Sequence, residues 1–99
     1  MKINKIMENK KSTLVLEVRL DTLTSQQLQD MLIPAFNEAN EIALDFANLV
    51  YVSSAGLRVL LMGEKIAKST NIPMTIINVS DEIMEVLDMT GFSDMLTII

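Results

Sequence analysis

The chain has 99 residues, 49% of them hydrophobic and only 4% aromatic, with a net charge of −5 at neutral pH. That length buries roughly 65% of the unfolded surface around one aliphatic, methionine-rich core, and the acidic balance argues against nucleic acid or an anionic membrane as partner. With no histidine and no cysteine, imidazole-dependent triads, thiolate chemistry, disulfides and the usual zinc sites are excluded, so no catalytic residue, metal or cofactor is expected.

Residues 2 to 8 form a weak strand candidate, with Ile3, Ile6 and Met7 interrupted by Lys and Asn, and Asn9-Lys10-Lys11-Ser12 reads as a turn. Leu14, Leu16, Val18 and Leu20 then alternate with Val15, Glu17 and Arg19, the period of a half-buried strand. Two strands joined by a short polar turn predict an antiparallel hairpin. Asp21 follows at the strand's end. Thr24 with Gln27 three residues on matches a capping box, ahead of Leu28, Met31, Leu32, Ala35 and Ala39 at helical spacing. Pro34 is expected to kink this helix or end its regular part early.

Residues 41 to 47 read as the next strand, with Ile42, Leu44 and Phe46 on one face and Ala43 and Asp45 on the other. So few polar residues suit a central position. The helix that follows gathers Gly56, Val59, Leu60, Gly63, Ile66 and Ala67 on one side at 100° per residue. Leu57, Arg58, Leu61, Lys65 and Lys68 fall opposite. After Asn71-Ile72-Pro73, Met74 to Val79 is an apolar strand. Ser80 caps a helix that opens with Asp81 and Glu82, as the dipole prefers. Ile83, Val86 and Leu87 make its inward stripe, Gly91 ends it, and Leu96 to Ile99 is expected as a short last strand.

Strands alternating with helices in this order predict an α/β domain, 1–99, with a mixed, mostly parallel sheet of four to five strands, an antiparallel N-terminal hairpin and three or more helices. No repeat or linker interrupts it. No segment approaches the ~20 apolar residues of a membrane span, and the N-terminus lacks a signal-peptide apolar region. The expected compartment is the cytoplasm.

Function usually collects at the carboxyl ends of parallel strands, where Asp21 and the pair Ser53-Ser54 both fall. Ser54, at or next to the N-cap of the central helix, can accept from the unpaired first-turn N–H groups. Negative charge on its hydroxyl would be favoured by the helix dipole. The small neighbours Ser53, Ala55 and Gly56 leave that hydroxyl open. Were their strands adjacent, the Asp21 carboxylate, and that of Asp45, would lie near Ser54. On residue types alone, Ser54 is either a simple cap or a phosphoacceptor. Leu57 and Leu61 are either covered by loops or, with Arg58 and Lys65, a partner-docking patch.

Over nearly its whole length the chain resembles the STAS-domain anti-sigma-factor antagonists. Leu44-Asp45-Phe46 through Val50-Tyr51-Val52-Ser53-Ser54-Ala55-Gly56-Leu57-Arg58-Val59-Leu60 is similar to that family's apolar strand followed by (Asp/Ser)-Ser-(Ser/Thr/Ala)-Gly-Leu. Arg19-Leu20-Asp21 with Thr24 and Gln27-Leu28 resembles its Leu-Asp step into the first helix. Val86-Leu87-Asp88-Met89-Thr90-Gly91-Phe92 resembles its (Leu/Phe)-x-x-(Thr/Ser)-Gly-(Leu/Phe) segment. The resemblance implies a phosphorylation-switched binding module rather than an enzyme. Unphosphorylated, such proteins bind an anti-sigma factor that is also a serine kinase, and so release a sigma factor. Phosphorylation of the serine corresponding to Ser54 weakens that complex, and a metal-dependent serine phosphatase restores it.

Two departures stand out. Ser53 replaces the Asp that many members carry before the phosphorylated serine, which makes it a second possible acceptor. The chain also stops where many relatives continue into a further helix. Within the family, the alternative is an interaction subunit of a transport or signalling assembly whose serine is not phosphorylated. Outside it, an enzyme using Ser54 as nucleophile with Asp21 lacks a histidine, or a lysine beside the motif, to activate the hydroxyl. A monomer or weak dimer is expected.

Overall fold

The computed structural model describes residues 3–99; residue 2, the first of the expected strand, lies outside them. The elements run β1 (Ile3–Glu8), β2 (Lys11–Leu20), α1 (Thr22–Glu38), β3 (Glu41–Val52), α2 (Ser54–Thr70), β4 (Met74–Ile77) and α3 (Asp81–Thr90), with a 3-10 turn at Phe92–Asp94. The sheet order is β1-β2-β3-β4, antiparallel between β1 and β2 and parallel across the other two pairs.

The hairpin turn is shorter than expected. Only Asn9 (φ 50°) and Lys10 (φ 64°) form it, and Lys11 already pairs with Glu8. Two positive φ values in a two-residue loop match the twist of the strands they join.

Cross-strand partners share a face. Leu14 and Leu16 of β2, Ile42, Leu44 and Phe46 of β3, and Met74 and Ile76 of β4 therefore point the same way. They join Leu28, Leu32, Ala35 and Phe36 of α1, Val59 and Leu60 of α2, and Ile83 and Leu87 of α3 in one buried cluster. All three helices thus draw on one face of the sheet, and on the other face only Ala43 of the central strand is fully covered among the described residues.

α1 continues through Pro34 to Glu38, so of the two expected effects, a kink or an early end, the early end does not occur. The ring removes one N–H, whose partner carbonyl would be that of exposed Asp30. Buried residues on both sides of Pro34 hold the helix together, and packing outweighs propensity. The cap is also relocated. Asp21 is the N-cap, and its partner is Thr24 rather than Gln27.

β3 runs five residues past the expected end at 47, because two register shifts against β2 hide its alternation. Its buried residues run Phe46, Leu49, Val52, a spacing of three that no regular strand has. At the far edge, the expected last strand is reduced to a single parallel bridge, Ile76 to Ile98, and β4 stops at Ile77, with Asn78 in the left-handed region at φ 58°.

Candidate functional site

β2 and β3 are parallel neighbours, Leu20 pairs with Val52, and the Ser53 N–H donates to the Leu20 carbonyl at 2.8 Å. The first turns of α1 and α2 therefore start side by side at one end of the sheet. α2 can approach this closely because of Gly56. A Cβ there would meet Leu20 Cγ at 2.8 Å and Val52 Cγ2 at 3.0 Å.

The two serines divide the roles. Ser53 is the N-cap, half-buried, its Oγ accepting from the Gly56 N–H at 3.3 Å. Ser54 is the first helical residue, exposed, and its hydroxyl makes no hydrogen bond among the described residues. The first-turn N–H groups of Ser54 and Ala55 have no partner inside the helix. On the helical wheel Ser54, Arg58, Leu61 and Lys65 fall within about 60° of one another. Arg58 and Lys65 are exposed, Leu61 is half-buried, and the last three line a shallow depression with Met62 and Ile66. Neither cation belongs to an ion pair among the described residues.

Leu57 does not join them. It is 6% exposed and part of the core. On the wheel it lies about 20° from the buried Glu64, whose Oε1 accepts from Thr97 N at 3.2 Å. Of the two readings of Leu57, burial supports the covered one and removes it from the docking patch.

Asp21 sits next to the serines in the sheet, but its carboxylate is turned to its own helix. Oδ1 accepts from the Thr24 N–H at 3.1 Å, and the Thr24 hydroxyl lies 3.0 Å from it. In return, the Asp21 N–H donates to the Thr24 hydroxyl at 2.8 Å. The Thr24 backbone N–H first, then its hydroxyl, hold the Asp21 carboxyl below its ordinary range. Oδ2 is 3.7 Å from Arg19 Nε, and the Arg19 guanidinium stacks 4.2 Å above the Tyr51 ring. No hydrogen bond joins Asp21 to Ser53 or Ser54 among the described residues.

Asp45 belongs elsewhere. Its Oδ1 accepts from the Ala47 N–H at 2.9 Å and from Asn78 Nδ2 at 3.0 Å, beside the first register shift of β3 and roughly 20 Å along the strand from Ser54. It supports the bulge rather than the serine.

Two polar residues escaped the sequence reading. Glu64 is 5% exposed and Ser25 3%, and the Ser25 hydroxyl has no hydrogen-bond partner among the described residues. Ser25 precedes Leu28, Leu32 and Ala35 by 3, 7 and 10 residues, an inward spacing that places it on the buried stripe. Glu64 lies about 40° from Leu60 on the wheel. Between α1 and α2 runs a groove lined by Thr22, Ser25, Gln26, Gln29, Ala55 and Arg58, with Val59 and Met62 at its floor. Among the described residues no group of three acidic side chains is placed to hold a metal ion, and no helix is long and apolar enough to cross a membrane.

The sequence matches the family model described as "Mlab, STAS domain" over residues 4–97. The chain belongs to the STAS-domain family. Its fold matches the anti-sigma factor antagonist SpoIIAA in its unphosphorylated form with a TM-score of 0.84 at 16% identity, over 99% of this chain and 88% of that one. The phosphorylated form of the Bacillus cell fate determinant SpoIIAA matches with 0.78 at 16% identity, over 99% and 91%. An anti-sigma-factor antagonist (STAS) domain protein from Planctomyces limnophilus matches with 0.82 at 18% identity, over 98% and 87%. Identities this low establish a shared fold. Among curated proteins the sequence has no significant match.

Proposed function

We propose that this chain is a phosphorylation-switched binding module, an anti-sigma-factor antagonist. Unphosphorylated at Ser54, it binds an anti-sigma factor that is also a serine kinase, and so releases a sigma factor in the cytoplasm. A serine phosphatase resets it. It acts as substrate and ligand, with no chemistry of its own.

The observation that carries this reading is the division between the two serines. Ser53 is committed to the cap, whereas the Ser54 hydroxyl is exposed, unbonded and aligned with Arg58, Leu61 and Lys65. A phosphate on Ser54 adds about −1.5 to −2 charges at a helix start that tolerates them. It also sets them one turn from Arg58, on the face offered to the partner. There the same charge brings repulsion and desolvation into the contact. The existence of the same fold in phosphorylated and unphosphorylated SpoIIAA is consistent with such a switch.

The test is intact-mass spectrometry and peptide mapping after incubation with ATP and the serine-kinase anti-sigma factor encoded in the same genome. One phosphate on Ser54 is expected, with Ser54→Ala unmodified. Phosphate on Ser53 would shift the site by one residue. No phosphate at all would replace this reading with a constitutive interaction subunit of a transport or signalling assembly.

A further inference from the structure

A second site lies at the other end of α2, about 15 Å along the helix from Ser54. There a cavity of about 330 Å³ opens between the last turns of α2, the connection into β4 and the C-terminal segment, within the range of roughly 300–1,000 Å³ typical of ligand pockets. Ile72, Pro73 and Met74 give it an apolar wall, and Glu64, Lys68 and Thr97 its polar groups.

Glu64 sets the chemistry. It is 5% exposed, and no cation lies within ion-pair distance of it among the described residues. Its Oε1 accepts from the Thr97 N–H at 3.2 Å and from the Thr97 hydroxyl at 3.3 Å. Its Oε2 accepts no hydrogen bond among the described residues, and unlike the unbonded hydroxyls of Ser12 and Ser25 it is not sealed from outside. A glutamate this buried is rare without a counter-charge. Lys68 stands one turn away, but it is exposed and beyond ion-pair distance, so the helix does not neutralise its own carboxylate. Asn71, the C-cap of α2, borders the same cavity. The carbonyls of Lys68, Ser69 and Thr70 have no partner inside the helix, and they form the negative end of its dipole. Carboxylate and helix end thus ask for the same sign of charge.

We propose that this cavity binds a primary ammonium group carried on an aliphatic stem. The ammonium donates to Glu64 Oε2 at the negative end of α2, and the stem packs on Ile72, Pro73 and Met74. An anion would meet an uncompensated carboxylate, and a purely apolar guest would leave Oε2 unpaired. A free alkylamine and the lysine side chain of another protein both offer this chemistry. Ser54 takes no part in the site, which stands whether or not that serine is phosphorylated.

The test titrates n-butylammonium chloride into the isotopically labelled protein, with sodium chloride at matched ionic strength as reference. The Thr97 amide and Met74 methyl signals are followed. Saturable shifts with butylammonium, absent with sodium chloride, are expected. Butanol, which has the same stem without the charge, should bind about tenfold more weakly, the size of a lost charge-assisted hydrogen bond. Glu64→Gln keeps an oxygen for Thr97 but removes the charge, and should weaken butylammonium binding by about the same factor. Lys68→Ala removes a like charge from the rim and should leave binding equal or tighter. Shifts that rise linearly with concentration overturn the site. Butanol binding as tightly as butylammonium, or Glu64→Gln binding as tightly as the unmodified protein, overturns the role of the carboxylate. Weaker binding in Lys68→Ala overturns the assignment of a cation. The butanol comparison uses the unmodified protein, so it decides the matter even if Glu64→Gln does not fold. Nα-acetyl-lysine methylamide separates the two sources: its binding points to the lysine of another protein, and its exclusion to a free amine.

Discussion

Val18 is the residue most at odds with its surroundings. It lies within β2 at φ 68°, where a β-branched side chain is strained, and it is 52% exposed, so burial offers little in return. The left-handed region costs an ordinary residue about 1–2 kcal/mol, and glycine loses about half of that benefit to its greater freedom in the unfolded chain. Val18→Gly should therefore raise the unfolding free energy by about 0.5–1 kcal/mol, read from urea midpoints at constant slope. A fall would mean that the valine side chain contributes more through packing than its backbone costs. Strain of this kind was invisible in the sequence, where Val18 simply continued the alternation of Leu14, Leu16 and Leu20. Asp45 misleads in the opposite way. A carboxylate on a central strand looked like part of the phosphoacceptor's environment, and only the Ala47 N–H and the Asn78 amide explain why it is there.

Among the elements, α1 is set by its first turn. Asp21 and Thr24 bond each other reciprocally, and the Asp21 carboxyl is held below its ordinary value of 3.8, chiefly by the Thr24 N–H. A group whose folded pKa lies below its unfolded one stabilises the fold above the unfolded value, and the benefit is lost as pH falls through the folded value. For Asp21 that window lies below about pH 4. Asp21→Asn keeps a competent N-cap but removes the titrating charge. It should lower stability at pH 7 and narrow the gap to wild type as the pH is brought down towards 2.5, followed by urea unfolding at each pH. Parallel curves for the two proteins would show that the carboxyl does not carry this linkage. The sequence reading put the cap three residues late, at Thr24. Thr24-Gln27 fits the usual capping-box pattern and Asp21-Thr24 does not, so only the observed helix start reveals the true pair. α2 was legible in its small-residue stripe, which Gly56, Gly63 and Ala67 bury. Its Leu57 was not: the wheel groups it with Arg58 and Leu61, yet it is buried in the core.

At the scale of the whole molecule, the order of strands and helices was enough to give the sheet and its antiparallel hairpin, while the neighbourhood of Asp21 and Ser53 hung on β2 and β3 being adjacent, which the pairing now supplies. Alternating strand and helix patterns leave few topologies open. What alternation could not give was the length of β3. Between Val15 and Leu20 of β2, five steps along the chain, β3 takes seven steps, from Asp45 to Val52. Those two surplus residues act as slack in the central strand. Removing Ala47 leaves Leu49 two positions after Phe46, the spacing at which a regular strand keeps both on the same face. The helix start at Ser53 would stay anchored to Leu20. Deletion of Ala47 should thus leave a folded protein, with cooperative urea unfolding and the inward residues unchanged, whereas deletion of Ala43, where pairing is continuous on both sides, should abolish folding. Equal damage from both would mean that the bulge is required as built. The central strand is normally where a sheet protein is least forgiving of a changed chain length. Here the allowance for such a change sits a few residues upstream of the proposed phosphoacceptor, so the loop-free junction that carries Ser54 can stay in place while the strand behind it gains or loses a residue.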